Sequence, residues 1–168
     1  MDFKLVKWNR AYINDVVKHV NNQKITDNLT DGVPYPYTYV DAKQYVNDCI
    51  EKDNNNQLTR AIEVAGEAVG SIGVFVQNDV YRKSAELGYW LSEDYWGQGI
   101  MSGAVKQICK EAFECFDIVR IYAKPYAYNI GSRQVLEKAG FTLEGIMKSS
   151  VCKHEKIYDS CMYALICK

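Results

Sequence analysis

Near the start of the chain, the spacing of the apolar residues changes from a period of two to a helical period. Phe3 to Trp8 alternates apolar and polar residues, which predicts a first strand. The run from Tyr12 to Val20 places its apolar residues on one helical face, and Asn9 or Asn14 can cap it. We therefore expect a strand followed by an amphipathic helix, with His19 on the helix surface.

A loop between Asn28 and Tyr39 is rich in tyrosine and proline. Pro34 and Pro36 exclude a helix interior and a central strand. Tyr35 and Tyr37 offer apolar area together with a hydroxyl group at low entropic cost. The loop therefore either lines a substrate site, with these two tyrosines as contacts, or packs over the core.

The middle of the chain predicts a second helix and a hairpin. Asp41 can cap a helix that extends to Ile50 and ends in the asparagine-rich segment 52–56. Strands are predicted at 58–65 and 68–76, with a short turn at Gly66-Glu67 between them.

The stretch from Glu86 to Val105 predicts a strand, a glycine turn and a long helix. Gly97-Gln98-Gly99 lacks the third glycine of a dinucleotide fingerprint and the Gly-Lys-Ser/Thr ending of a P-loop. Glycine nevertheless permits a positive φ, and the free N–H groups of a first helical turn point at a ligand. We expect the backbone from Gly97 to Ser102 to bind a phosphate group, with the Ser102 hydroxyl as a further donor. The alternative is that the glycines only turn a strand into a helix.

The last third of the chain predicts three strands and one helix. A strand at 118–123 precedes a helix that Asn129 caps and Gly140 ends, and strands near 141–151 and 156–167 follow. Hairpins combined with crossover helices indicate an α/β (α+β) class, with a mixed sheet and helices on both faces. We expect a single domain over residues 1–168.

Charge and composition limit the classes of binding partner that we expect. The formal net charge is -1 and no long basic run occurs, so nucleic acid is not expected as a partner. No basic and apolar leader and no apolar run of about 18 residues occurs, which predicts a cytoplasmic protein without a membrane partner. The six cysteines show no CxxC spacing and are expected to be reduced and mostly buried. The final strand is the candidate for pairing in a homodimer, and a monomer is the alternative.

Two segments of the chain, taken together, resemble the GNAT family of N-acetyltransferases in its RimJ/RimL-like branch. The first extends from Glu86 to Ser102 and contains the Gly-Gln-Gly element, and the second extends from Asn129 to Phe141. The resemblance covers essentially the whole chain, including the proline-tyrosine loop and Asp159. It implies a GNAT-like, mostly antiparallel central sheet and an acetyltransferase domain.

The resemblance also implies acetyl-coenzyme A as the donor, a primary amine as the acceptor, and no metal. The acceptor is either a protein N-terminal amine or a small-molecule amine. A backbone N–H near Leu91 is expected to polarise the thioester carbonyl. The residues implied to contact coenzyme A are Leu91, Gly97, Gln98, Gly99, Ile100, Met101, Ser102, Asn129 and Ser132.

Direct attack of the amine on the thioester needs a proton acceptor and benefits from a thiolate donor. Glu86 begins the strand beside the implied cofactor gap and is the candidate acceptor, through water; an ion pair between strands is the alternative. Many GNAT enzymes place a tyrosine where this chain has Leu136, so Ser132 is the candidate donor to sulfur. Tyr126 or Tyr128 is a reserve donor. The alternative is that Ser132 only satisfies the amides of its helix.

The acceptor is the least determined part of this interpretation. Five acidic residues can form an acidic lining for a peptide or a polycation, or can belong to a solvated surface. They are Asp27, Asp31, Glu86, Glu93 and Asp94. The alternative function is a non-catalytic module of the same fold that senses acetyl-coenzyme A.

Overall fold

The computed structural model describes residues 1–168 and contains one seven-stranded sheet in the order β1-β2-β3-β4-β5-β7-β6. The strands are β1 Lys4–Val6, β2 Gln57–Val64, β3 Glu67–Val76, β4 Ser84–Leu91, β5 Arg120–Ala123, β6 Thr142–Lys153 and β7 Lys156–Ile166. The helices are α1 Ile13–Val20, α2 Gln23–Thr26, α3 Tyr39–Lys52, α4 Ile100–Cys115 and α5 Ile130–Lys138.

Each face of the sheet buries its own apolar cluster, because side chains alternate between the two faces of a strand. Leu87 of β4 packs with Ile108 of α4 and Leu136 of α5 on one face. Trp90, three residues later, packs with residues of α1 and α3 such as Val46 on the other face. Helices therefore cover both faces, as the sequence predicts.

The sheet opens between β4 and β5. These two strands are parallel and pair only at Ser84↔Arg120, Ala85↔Ile121 and Glu86↔Tyr122, whereas every other strand pair is antiparallel. Because β5 ends at Ala123, the rest of β4 has no partner strand on that side. A gap therefore separates the two halves of the sheet where β4 approaches α4.

Helix starts differ from the predictions in three places. Thr38 caps α3: its Oγ1 accepts the Asp41 N–H at 3.2 Å, and the Asp41 carboxylate accepts the Thr38 N–H at 2.8 Å. Asp41 is therefore the reciprocal partner in a capping box, not the cap itself. Asn9 caps a 3-10 turn at Arg10–Tyr12 that precedes α1, and α2 is an additional short helix that periodicity did not indicate.

His19 is buried, and its predicted surface position is wrong. Its ring nitrogens lie 2.9 Å from Ser92 Oγ and 2.9 Å from Glu67 Oε1, and only 7% of the residue is exposed. His19 lies between Val16 and Val20 on the face of α1 that meets the sheet. A polar residue can occupy an apolar face when both of its polar atoms find partners.

Several smaller predictions are corrected. The β2–β3 turn is at Ala65-Gly66, which both have positive φ, one residue earlier than predicted. All six cysteines are free, but only Cys49, Cys109 and Cys161 are buried. The final strand β7 lies between β5 and β6, so β6 is the edge strand on this side of the sheet and β7 cannot pair with a second copy. No helix combines the length and the hydropathy that a membrane span requires.

Candidate functional site

A cavity of about 870 Å³ lies at the opening between β4 and β5. On one face of the sheet its walls come from the starts of α4 and α5, and on the other face from α3 and the loop between α2 and α3. The cavity therefore connects the two faces of the sheet, and all of the predicted coenzyme A residues except Gln98 line it.

The glycine turn forms a row of unpaired backbone donors. Gly97 and Gly99 have φ values of +72° and +78°, and a Cβ atom on either would meet no atom within 4 Å. None of the amides from Gly97 to Ser102 donates a hydrogen bond within the chain. Six consecutive free N–H groups at the N-terminus of a sixteen-residue helix form a site for an anion.

Side chains of the same segment contribute less than their amides. Ile100 and Met101 are 1% and 6% exposed, with their side chains in the core. The Ser102 hydroxyl donates to the Gly99 carbonyl at 3.1 Å, and the Gln98 side chain donates to the Asp94 carbonyl at 3.0 Å, outside the cavity wall. The candidate anion site is therefore built from backbone N–H groups. The Ser102 hydroxyl, predicted as a further donor, already donates within the chain.

The Leu91 amide points into the opening. The Ser92 N–H donates to Val69 of β3 at 2.8 Å, and successive residues of a strand direct their N–H groups to opposite edges. The Leu91 N–H is therefore directed away from β3, toward the β5 side. Trp96, which the sequence analysis did not single out, donates from Nε1 to the Leu91 carbonyl at 2.8 Å and so holds the adjacent Leu91–Ser92 peptide.

A hydroxyl pair joins β4 to α5 across the cavity. Ser132 Oγ lies 2.6 Å from the Tyr89 hydroxyl oxygen. Asn129 caps α5 as predicted, because its Oδ1 accepts the Ser132 N–H at 3.2 Å. The Ser132 hydroxyl is therefore not used for capping, and that alternative is wrong. Burial raises the pKa of Tyr89 to about 12, which keeps its hydroxyl protonated.

Glu86 lines the cavity on the face of the sheet that α1 and α3 cover. Its carboxylate lies 3.6 Å from Lys124 Nζ and accepts a hydrogen bond from the Tyr122 hydroxyl at 3.4 Å. The structure thus contains both features that the sequence left as alternatives, a position at the cavity and an ion pair with the neighbouring strand.

On this face of the sheet two glycines stand opposite each other, and the Phe75 ring lies over Gly73, where a Cβ would be within 2.9 Å of it. Gly73 of β3 pairs with Gly88 of β4, and beside them the Ser71 hydroxyl lies 2.5 Å from the Tyr45 hydroxyl. Tyr37 is 6% exposed and lines the cavity. By contrast, Tyr35 is 53% exposed and lies outside the wall.

Of the two alternatives for the five acidic residues, the acidic lining is wrong. Of the five acidic candidates, only Glu86 lines the cavity, whose other ionisable lining groups besides tyrosines are Lys24, Lys124 and Lys138. Asp27 is held 2.7 Å from His154, and Glu93 is 2.5 Å from Lys24. Carboxylates with partners at the rim do not give the cavity a negative lining.

The loop between α2 and α3 is held over the cavity from the far end of the sheet. Lys153, which is 6% exposed, donates from Nζ to the Leu29 carbonyl at 2.9 Å and lies 3.2 Å from Asp31. The Tyr126 hydroxyl donates to the same carbonyl at 3.0 Å. These contacts bring Leu29 and Val33 to the cavity wall. A buried ammonium needs such partners, and these contacts hold the loop against β6.

Comparison with known protein families identifies the family of this chain. Residues 2–142 match the model of the acetyltransferase (GNAT) domain. The chain belongs to the GNAT family. The predicted family and the predicted GNAT-like sheet are therefore confirmed. The structure contains no group of three His, Cys, Asp or Glu side chains that could hold a metal ion.

Two curated relatives show how far this GNAT chain resembles known sequences. The uncharacterized N-acetyltransferase p20 of Bacillus licheniformis is 28% identical over 135 residues, which span 78% of this chain and 75% of p20. The ribosomal-protein-serine acetyltransferase of Escherichia coli K12 is 34% identical over 100 residues, which span 60% of this chain and 55% of that enzyme. The similarity to the second relative thus covers about half of its length.

Solved structures resemble this GNAT chain over almost its full length. RimL, a ribosomal L7/L12 alpha-N-protein acetyltransferase solved with coenzyme A, has a TM-score of 0.85 and 25% identity, with 98% of this chain and 93% of RimL covered. The microcin C7 self-immunity acetyltransferase MccE has a TM-score of 0.83 at 22% identity, with 99% and 93% covered, and shows the shared fold alone.

Proposed function

We propose that this chain is an acetyl-coenzyme A-dependent N-acetyltransferase that modifies a primary amine. The observation that carries the proposal is the row of free amides from Gly97 to Ser102, which opens onto a cavity that crosses the sheet. A diphosphate suits this row because several N–H donors and a helix N-terminus converge on it. Asn129 and Ser132 flank the cavity from α5.

The residues around the opening fit a transfer without a covalent enzyme intermediate. Acetyl-coenzyme A, when bound, supplies an activated acetyl thioester. The Leu91 N–H donates to the oxygen on which negative charge develops, Glu86 accepts the amine proton through water, and Ser132 donates a hydrogen bond to the leaving sulfur. An α-amine has a reference pKa of about 8, so it needs less help from Glu86 than a lysine near 10.4.

The acceptor side favours an amine with little additional positive charge. Its single lining carboxylate, Glu86, is already close to Lys124, so the cavity offers no unpaired carboxylate to a polycation. Polyamines and aminoglycosides are therefore poor candidates. A peptide amino terminus fits the groove better, in keeping with the RimJ/RimL-like branch and with relatives named for acetylating ribosomal proteins.

Thiol release from acetyl-coenzyme A tests the proposal directly. We expect short neutral peptides or monoamines to be acetylated with a kcat/KM about fivefold or more above that of spermidine or kanamycin, since one unfavourable charge contact costs about 1 kcal/mol or more. Mass spectrometry checks that each product carries an added acetyl group. Coenzyme A binding without turnover on any acceptor would instead support the sensor function, and absence of binding would refute both.

Loosening the loop over the cavity should weaken the binding of the acceptor amine and leave the binding of acetyl-coenzyme A unchanged. We expect Lys153→Met to raise the acceptor KM about tenfold, because the Leu29 carbonyl loses one of its two donors and Asp31 its partner. The KM for acetyl-coenzyme A should stay unchanged. Lys148→Met is the control, since this lysine of the same strand is exposed and pairs with Asp159. Equal rises in both KM values would show that Lys153 supports the whole fold instead.

A further inference from the structure

The hydroxyl pair between β4 and α5 has a role that Ser132 alone does not explain. We propose that Tyr89 is a positioning residue: its hydroxyl donates to Ser132 Oγ and so directs the Ser132 proton at the departing sulfur, an assignment that rests on the proposed function. Tyr89 itself does not contact the reacting atoms in this arrangement.

The geometry places the two hydroxyls together on the correct face. Tyr89 shares its face of β4 with Leu87 and Leu91, toward α4 and α5, and packs against their apolar cluster. Its oxygen lies 2.6 Å from Ser132 Oγ and 3.4 Å from the Ser132 carbonyl oxygen. Tyr89 and Ser132 both line the cavity beside the Leu91 amide. The short contact is therefore to the hydroxyl group, at the opening between β4 and β5.

In the proposed orientation Tyr89 donates to Ser132, and a count of protons shows which one remains free. Each hydroxyl carries one proton, so only one of the two can donate within the pair. Burial raises the pKa of Tyr89 to about 12, so Tyr89 keeps its proton over the whole working range and remains able to donate. When Tyr89 donates, the only remaining proton is that of Ser132, which is free to point into the cavity. A chain of two hydroxyls is also a stronger terminal donor than one, because each hydrogen bond polarises the next.

The pair needs no change of protonation during the transfer. A bond forms between the amine nitrogen and the carbonyl carbon, and the carbon–sulfur bond breaks with its electron pair left on sulfur. Ser132 stabilises that thiolate by a hydrogen bond, while the amine proton leaves through water to Glu86. The thiolate takes a proton from solvent on release, and Tyr89 and Ser132 end as they began.

Ligand binding tests this assignment without catalysis. Coenzyme A and desulfo-coenzyme A differ only at the sulfur, so the ratio of their Kd values, measured calorimetrically from about pH 7 to about pH 10, reports how well the thiolate is stabilised. We expect the unaltered protein to favour coenzyme A increasingly as pH rises and the thiol ionises. Tyr89→Phe and Ser132→Ala should each reduce that preference about tenfold, the change typical of one hydrogen bond to a charged group. An unchanged ratio in Tyr89→Phe would overturn the assignment.

Turnover provides the second readout. We expect Tyr89→Phe to lower kcat about tenfold with little change in the KM for acetyl-coenzyme A, and to have no further effect in a Ser132→Ala background. Tyr12→Phe is the matched control, because Tyr12 is a buried tyrosine bonded to Glu63 and lies outside the cavity wall. Additive losses from Tyr89 and Ser132 would refute the coupling. If the unaltered protein binds coenzyme A but acetylates nothing, the proposed function fails while the binding ratio still decides the role of Tyr89.

Discussion

Gly99→Val is expected to weaken coenzyme A binding about 100-fold, which corresponds to about 2.7 kcal/mol. Gly99 has a φ of +78°, and a β-branched residue at that angle forces the turn to move. Gly99 lines the cavity, and its Cβ would lie in open space. One or two hydrogen bonds to a charged phosphate, each contributing about 1.5 to 3 kcal/mol, account for the loss.

Gly66→Val separates ligand binding from backbone strain. Gly66 has a φ of +85° in the β2–β3 turn, and a Cβ there would also meet no atom within 4 Å. Both substitutions should lower the melting temperature by similar amounts, because both strain an exposed turn. Only Gly99→Val should raise the Kd for coenzyme A, measured by calorimetry. Equal Kd values for the two variants would show that the glycine turn is only a structural link between β4 and α4.

Glu86→Gln is expected to lower kcat/KM for the acceptor about 100-fold at neutral pH while the Kd for coenzyme A stays the same. General base catalysis contributes about 10²- to 10⁴-fold, and the amide of glutamine cannot accept the amine proton. The deficit should shrink as pH rises past the pKa of the acceptor, about 8 for an α-amine, because a larger fraction of the amine is already neutral. Rate measurements across pH check this result.

Two further variants distinguish a role of Glu86 as a general base from a role as an ion pair that joins β4 to β5. Lys124→Met removes the ion pair of Glu86 but keeps its carboxylate, so it should retain most of the activity if Glu86 accepts the proton. Glu144→Gln removes the carboxylate that is hydrogen-bonded to Arg120 at 2.6 and 2.8 Å, away from the cavity, and should leave the pH profile unchanged. If Lys124→Met is as impaired as Glu86→Gln, the carboxylate serves only to join β4 to β5.

Short-range features of the site are present in the sequence. The glycine turn, the capping of α5 by Asn129 and the order of strands and helices depend on residues within a few positions of one another, so local propensity and spacing predict them. The resemblance of two segments to the GNAT family predicted acetyl-coenzyme A as the acetyl donor. Even at this short range one prediction was wrong, because the cap of α3 is Thr38 and not Asp41. Both residues of a capping box are plausible caps when only the sequence is known.

Only the tertiary structure decided which distant side chains meet. Tyr89 and Ser132 are 43 residues apart, Lys153 reaches Leu29 across 124 residues, and no periodicity links either pair. The same is true of His19, which two distant partners stabilise in a buried position. The sequence therefore determined where the free backbone N–H groups of the glycine turn lie. The fold determined the charges that line the cavity and the partner of Ser132, because charges and hydroxyls are paired through long-range packing and not through local spacing.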